Sequence, residues 1–96
     1  MSIEKQLEKE FRKAYEDAKK LNCRFGARFI QMLDKEGSVR TAKTLLATKQ
    51  VPDGFIRLIE LDRTDLSVEA IILKRKYRKE FRPEEIKTAK GRLGMA

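Results

Sequence analysis

The stretch SVEAIIL, residues 67–73, decides the fold class of this 96-residue chain. From Val68 to Leu73 it is apolar apart from Glu69, a composition that fits a buried strand as well as a short helix. An isolated strand is not stable without partners, and no other segment of the sequence has strand character. The stretch is therefore predicted to be a short, almost fully buried helix with Ser67 as its N-cap.

An amphipathic helix is predicted at the start of the chain. Apolar residues recur there at steps of three and four, at Ile3, Leu7, Phe11, Ala14, Ala18 and Leu21. Glu8 and Glu16 each precede a base by four residues, the orientation that stabilises an exposed helical face. Asn22 is predicted to end this helix.

The middle of the chain is predicted to form three helices, separated by Gly37 and by a loop at residues 49–54. Gly37 ends the second helix, and Ser38 is the predicted N-cap of the third. The loop contains a proline, and Asp53 and Gly54 suit its turn positions. The positions expected to face the core are Phe25, Phe29, Ile30 and Leu33 in the second helix, Val39, Ala42, Leu45 and Leu46 in the third, and Phe55, Leu58 and Ile59 in the fourth.

A last helix is predicted to begin at Pro83, because proline suits the first helical position and acids follow it in the first turn. Its apolar positions are Ile86, Ala89 and Leu93. Together these elements predict an all-α fold, a compact single domain of five or six short helices over residues 1–96. The N-terminal amphipathic helix occupies 1–21 and the helical core occupies 24–93.

The composition is basic and excludes several classes of function. The 23 Lys and Arg against 15 Asp and Glu give a formal net charge of +8. The chain has no His and one Cys, Cys23, so it lacks the residues for His-centred acid–base chemistry, a Cys–His dyad, a zinc site or an internal disulfide. The acids of residues 51–66 match no ligand loop and are interpreted as caps and ion-pair partners. We therefore expect a protein that is not an enzyme, with no catalytic residues, no metal site and no cofactor.

Cys23 has one further interpretation. It lies beside Arg24, and a neighbouring base lowers the pKa of a thiol, so a reactive cysteine is an alternative to a partly buried position.

The N-terminus carries no membrane or export signal in its composition. Half of the first ten residues are charged, and no uncharged stretch approaches the ~20 residues of a membrane helix. We expect a cytoplasmic protein without membrane contact. The sequence carries no signal for an oligomeric state.

A row of polar side chains is predicted beside the apolar stripe of the second helix. The row consists of Arg24, Arg28, Gln31 and Lys35, and the third helix continues it with Arg40 and Lys43. Residues 22–50 hold six bases against two acids. Such a pattern is typical of phosphate contact, and Arg or Gln also reaches base edges. The alternative is an ordinary solvated helical face.

A second basic group lies at residues 74–82, with six bases in nine residues. Its candidate binding side chains are Lys74, Arg75, Lys76, Arg78 and Lys79. Tyr77 and Phe81 lie among them, where aromatic rings either stack on nucleic-acid bases or anchor the segment in the core. The core is the preferred interpretation, because the spacing continues from Leu73. Glu80 is the only acid within the group, so the segment is predicted to present a positive surface.

From Arg24 onward the chain resembles a small helical domain found in uncharacterised bacterial proteins. The matching words are Arg28-Phe29-Ile30-Gln31-Met32-Leu33, Gly37, Thr41-Ala42-Lys43 with Leu45-Leu46, Gly54-Phe55 with Leu58 and Glu60, Asp65-Leu66-Ser67-Val68-Glu69, Pro83-Glu84-Glu85-Ile86, and Arg92-Leu93. The resemblance spans residues 24–93 and implies a helical fold. It carries no established activity, so no functional residue is transferred. The segment 74–79 is more basic than the pattern, and Thr64 stands where the pattern tends to be apolar.

Two functions are compatible with these features. The leading prediction is a non-enzymatic protein that binds DNA or RNA through an electropositive helical surface. The alternative is a protein-binding adaptor or inhibitor that docks on an acidic surface of a partner, such as a nucleic-acid-processing enzyme. The alternative predicts exposed apolar side chains at positions such as Phe25, Met32 and Ile56.

Overall fold

The computed structural model describes residues 2–22, 27–48, 51 and 53–94. These residues form α-helices and one 3-10 turn, with no strand among them, which confirms the all-α prediction. In chain order the elements are α1 (Ile3–Lys20), α2 (Ala27–Glu36), α3 (Ser38–Ala47), α4 (Asp53–Glu60), the 3-10 turn (Thr64–Leu66), α5 (Val68–Ile72), α6 (Arg75–Arg78) and α7 (Pro83–Arg92). The described part has seven α-helices because the second basic group contains the short helix α6.

The stretch 67–73 forms α5 and lies at the centre of the packing. Ser67 caps it as predicted, since its Oγ accepts the N–H of Ala70 at 3.0 Å. Val68, Ile71 and Ile72 are all buried, because α5 packs against α1, α3, α6, α7 and the 3-10 turn. A short helix covered on several sides explains why this stretch lacks a polar face.

The long helix α1 has the predicted apolar stripe. Its buried residues are Leu7, Phe11, Ala14 and Ala18, while Ile3 and Leu21 pack against the core from its edge. Asn22 follows the helix with a φ of 64°, a left-handed conformation that Asn adopts more readily than most residues. On the outer side, Arg12 pairs with Glu8 at 3.1 Å and with Asp34 of α2 at 2.6 Å. Arg12 therefore joins α1 to α2.

The turn between α2 and α3 differs from the prediction at Ser38. Gly37, with a φ of 85°, is the N-cap of α3, so Ser38 is the first helical residue. The Oγ of Ser38 donates to the carbonyl of Glu4 at 2.7 Å, and the Glu4 carboxylate accepts the N–H of Val39 at 3.3 Å. The start of α3 is therefore capped from α1, by a residue that is distant in sequence.

The helix α4 begins earlier and is less buried than predicted. Asp53 and Gly54 form its first turn instead of ending the loop. Phe55 and Leu58 are buried as expected, but Ile59 is 50% exposed, and its predicted burial is wrong. The reason is that α4 packs chiefly against the 3-10 turn, so only one narrow side of the helix is covered.

A buried ion pair fixes the carboxyl end of α7. The side chains of Arg92 and Glu69 are only 8% and 5% exposed, and Arg92 Nη1 lies 2.9 Å from Glu69 Oε2. The same guanidinium donates to the carbonyl of Leu45 at 3.2 Å and to the carbonyl of Thr48 at 2.7 Å. These carbonyls lie at the carboxyl end of α3, where the N–H groups of a following helical turn are missing, and the carbonyl of Leu45 also accepts a hydrogen bond from the hydroxyl of Thr48 at 2.7 Å. Arg92 therefore joins α3, α5 and α7.

Truncating one member of this pair is expected to destabilise the fold strongly. Because the other charge is then left buried and unpaired, Arg92→Met or Glu69→Leu is expected to lower the free energy of unfolding by about 3 kcal/mol or more. The double variant is expected to lose much less unfolding free energy than the sum of the two single losses.

The measurement is urea unfolding followed by circular dichroism. Arg57→Met is the control, because Arg57 and its partner Glu60 are about half exposed, and such a pair contributes about 0.5 kcal/mol. An equal loss of unfolding free energy in Arg57→Met and Arg92→Met would contradict the assignment of Arg92 and Glu69 as a buried ion pair.

Replacing either of two glycines with alanine is expected to change the stability of the protein, in opposite directions at the two positions. At Gly37 the positive φ disfavours any Cβ, and an added Cβ meets the carboxylate of Glu4, so Gly37→Ala is expected to destabilise the protein by about 1–3 kcal/mol. Gly91 lies within α7 with open space around its Cα, so Gly91→Ala is expected to stabilise it by about 0.5–1 kcal/mol. Thermal unfolding of the two variants tests both expectations. If the melting temperature changed in the same direction in both variants, the result would contradict the described geometry of the turn at Gly37.

Candidate nucleic-acid interface

The segment 74–82, which contains α6, turns its two aromatic residues inward and its bases outward. Tyr77 is fully buried and Phe81 is 7% exposed, which confirms that they anchor the segment in the core. Since these positions face inward, the remaining side chains of the second basic group face solvent. Those that are exposed are Lys74, Arg75, Lys76, Arg78, Lys79 and Arg82. Neither ring is available for stacking on a nucleic-acid base in the folded protein.

A carboxylate from α1 neutralises part of this group, which the sequence did not predict. Glu10 accepts hydrogen bonds from Lys74 Nζ and from the hydroxyl of Tyr77, and it lies 3.5 Å from Lys76 Nζ. Burial opposes ionisation of Glu10, but these hydrogen bonds and the two lysine charges outweigh it and hold the pKa of Glu10 below its usual value. Burial, together with the neighbouring Glu10, raises the pKa of Tyr77. Glu80 is the only acid within residues 74–82 of the sequence, but the expectation that the bases there are not neutralised locally is wrong for Lys74 and Lys76.

Three cations of α6 and its C-terminal end have no such partner. Within the described ranges, Arg75, Arg78 and Lys79 form no ion pair with a carboxylate. Arg78 is held in place by its own chain, because its Nε donates to the carbonyl of Leu73 at 2.9 Å. The three side chains border an open recess of about 540 Å³ whose other walls are Phe81, Pro83 and Ile86. We call the recess and its three cations the α6 surface.

The first basic group is divided by the fold. Arg28, Gln31 and Lys35 are exposed on α2 and Arg40 is exposed on α3, whereas Arg24 lies outside the described residues. Lys43 does not join them.

The position of Lys43 is instead structural. Its Nζ lies 2.8 Å from Glu85 of α7 and 5.3 Å from the centre of the Phe81 ring. Burial opposes ionisation of Glu85, but Lys43 and the backbone of Arg82 outweigh it and lower the pKa of Glu85. The periodicity of α3 indicates which face Lys43 occupies but not that an acid of α7 lies opposite, so the sequence could not separate this lysine from a ligand-binding one.

A second recess lies between α2, α3, α4 and α5, with a volume of about 450 Å³. Its lining includes the apolar residues Phe29, Met32, Leu45, Val51, Phe55, Leu58 and Val68, and the charged residues Arg28, Asp53 and Glu69. We call it the α2–α5 cavity. No described side chain lines both this cavity and the α6 surface. Of the described side chains of the first basic group, only Arg28 lines the α2–α5 cavity, while Lys43 packs against Phe81, a wall of the α6 recess.

Exposed apolar side chains lie next to this cavity. Ile56 is 47% exposed, Ile59 is 50% exposed and Val51 is 37% exposed. Met32 is half-buried on the cavity wall, while Phe25 lies outside the described residues. The exposure expected at Ile56 under the protein-binding alternative is thus present.

The acids of residues 51–66 and Cys23 are the other side chains that the sequence singled out. Glu60 pairs with Arg57 at 3.6 Å and Asp65 pairs with Arg63 at 3.0 Å, in line with their interpretation as ion-pair partners. In the part of the chain that the structure describes, no cluster of three or more His, Cys, Asp or Glu side chains is arranged to hold a metal ion. Cys23 falls outside that part.

Comparison with protein-family models, with curated proteins and with solved structures finds no match for this chain. The likeness to a small bacterial helical domain therefore stays a prediction, and the functional argument depends on the geometry of the chain itself. Among the described residues, no helix is both long and apolar enough to cross a membrane.

Removing the Glu10 carboxylate is expected to change how the free energy of unfolding depends on pH below neutrality. A depressed pKa in the folded state gives stability that is present above the ordinary value of 4.5 and is lost as the pH falls through the folded value. The gap in unfolding free energy between the wild type and Glu10→Gln is therefore expected to be largest near neutral pH and to close in acid. Urea unfolding at several pH values between about 7 and 3 measures the gap. Glu60→Gln is the control, and the same closing gap in both variants would argue against the Glu10 contacts.

Proposed function

We propose that this protein is a non-enzymatic binding protein that contacts the phosphate backbone of DNA or RNA through the α6 surface. The observation that carries the proposal is the set of unpaired cations Arg75, Arg78 and Lys79 around one open recess. Phosphate oxygens are the usual partners of such clusters, because each contact releases a counterion from the nucleic acid. A cytoplasmic location and the absence of membrane contact remain part of this proposal.

The geometry favours contact with the backbone over reading of bases. Tyr77 and Phe81 are buried, so single-strand binding by base stacking lacks its platform. The helix α6 spans only Arg75–Arg78, too short to lie along a major groove as a recognition helix does. Phosphate contacts position a protein without carrying sequence information. We therefore expect affinity that depends weakly on nucleotide sequence and strongly on salt.

The test is the salt dependence of binding to a fluorescein-labelled DNA duplex and to an RNA duplex, measured by anisotropy between about 50 and 200 mM salt. Three phosphate contacts predict a slope of log K against log salt of roughly −3. The variant Arg75→Gln/Arg78→Gln/Lys79→Gln is expected to lose most of that slope. The matched control Arg28→Gln/Lys35→Gln/Arg40→Gln removes the same number of charges from α2 and α3 and is expected to keep it. Absence of binding at the lowest salt, or equal effects of the two variants, would overturn the proposal.

A second candidate function is protein binding, for which the exposed Ile56 and Ile59 beside the α2–α5 cavity are the specific observation. Exposed apolar side chains next to a recess are typical of sites where another protein docks. Because the cavity and the α6 surface share no lining residue among those that the structure describes, the two functions are compatible in one molecule.

A further inference from the structure

We propose that the Glu10 carboxylate of α1 competes with phosphate for Lys74 and Lys76, and thereby limits the affinity of this protein for DNA or RNA. The inference rests on the proposed function, because the competition matters only where the segment 74–82 meets a phosphate backbone. It adds to that function an internal contact that regulates the same surface.

The Glu10 carboxylate is held at this position by the core. Only 24% of its side chain is exposed, and it accepts a hydrogen bond from the hydroxyl of the fully buried Tyr77. Lys13, the base one turn further along α1, is paired with Asp17 at 3.4 Å. The charge of Glu10 is therefore met by the segment 74–82 and not by this base of its own helix.

The two lysines that Glu10 holds are otherwise suited to bind phosphate. The side chains of Lys74 and Lys76 are each 53% exposed, and both residues adjoin Arg75, a cation of the α6 surface. A lysine ammonium is a point charge on a flexible stem, so it binds phosphate without a fixed geometry. Rotation of the side chain is therefore enough to exchange the carboxylate for a phosphate oxygen.

The carboxylate makes this exchange unfavourable. A phosphate that takes either lysine leaves Glu10 partly buried with one partner fewer, and the freed carboxylate then repels the phosphate. One acid and two bases also leave a charge of +1 there instead of +2, so an incoming phosphate is attracted less. We therefore expect the wild type to bind phosphate with the three unpaired cations of the α6 surface, and a protein without this carboxylate to use Lys74 and Lys76 as well.

The first test removes the charge of Glu10 and keeps its shape. In Glu10→Gln the amide oxygen still accepts the hydroxyl of Tyr77, and circular dichroism checks that the variant is folded. Anisotropy with the DNA duplex in about 100 mM salt is expected to show at least about tenfold tighter binding than the wild type. The slope of log K against log salt is expected to move from roughly −3 to roughly −4.5, as two more phosphate contacts require.

Glu80→Gln is the matched control. Glu80 is exposed, it lies in the sequence between Lys79 and Phe81 of the α6 recess, and it forms no ion pair within the described ranges. The substitution removes the same charge but releases no lysine, so we expect less than about a threefold change in affinity and no change in slope. Equal effects of Glu10→Gln and Glu80→Gln would overturn the proposal, because long-range charge alone would then explain both.

A double-mutant cycle tests whether Glu10 acts through the two lysines. Lys74→Gln/Lys76→Gln is expected to weaken duplex binding by less than about threefold in the wild type and by at least about tenfold in the Glu10→Gln background. A purely structural role of Glu10 does not produce this difference. The wild-type half of the cycle does not depend on the folding of Glu10→Gln. A loss there as large as the loss on removing the three cations of the α6 surface would refute the competition.

Failure of this inference differs from failure of the proposed function. If the wild type binds the duplex and Glu10→Gln has the same affinity and slope, only the competition is refuted. If neither protein binds the duplex at the lowest salt, the nucleic-acid proposal is refuted and the competition with it.

Discussion

The guanidinium of Arg92 enters the core from the last turn of α7 and meets Glu69 of α5 and the carbonyls of Leu45 and Thr48 at the end of α3. Both charged side chains are almost completely buried, so each charge requires the other. The relative positions of three helices therefore depend on one side chain. Leu45, Thr48 and Glu69 also line the α2–α5 cavity. The same contact that closes the core thus shapes a wall of the recess.

The bases of the segment 74–82 face solvent because its two aromatic side chains are buried in the core. Once Tyr77 and Phe81 are buried, the bases between them have no inward position to occupy. Glu10 of α1 compensates Lys74 and Lys76, and Glu85 of α7 compensates Lys43. Among the described residues, uncompensated positive charge is left at the α6 surface, whereas α2 carries two bases, Arg28 and Lys35, against two acids, Asp34 and Glu36. The α6 surface therefore holds part of the formal charge of +8.

Local patterns in the sequence predicted most of the helices. The stripe of α1, the cap at Ser67 and the start of α7 at Pro83 depend on neighbouring residues, and all three are confirmed. The errors at Ser38 and Ile59 have a different origin. The cap of α3 comes from Glu4, and the exposure of Ile59 depends on what covers α4. Both are properties of tertiary packing, which periodicity does not contain.

The candidate sites were predicted less completely for the same reason. Sequence spacing identified the bases of α6 as exposed, but not which of them are compensated, because Glu10 lies far away in the chain. Ion pairing therefore separates the cations of this segment that stabilise the fold from those that are free to bind a ligand.

The central claim is that Arg75, Arg78 and Lys79, which line the α6 recess, are the cations that contact phosphate. The most direct measurement is the change in backbone amide chemical shifts of the full chain when a DNA duplex is added. The account predicts shifts confined to α6 and the first turn of α7 that vanish at high salt. Shifts centred on α2, or none at low salt, would contradict it.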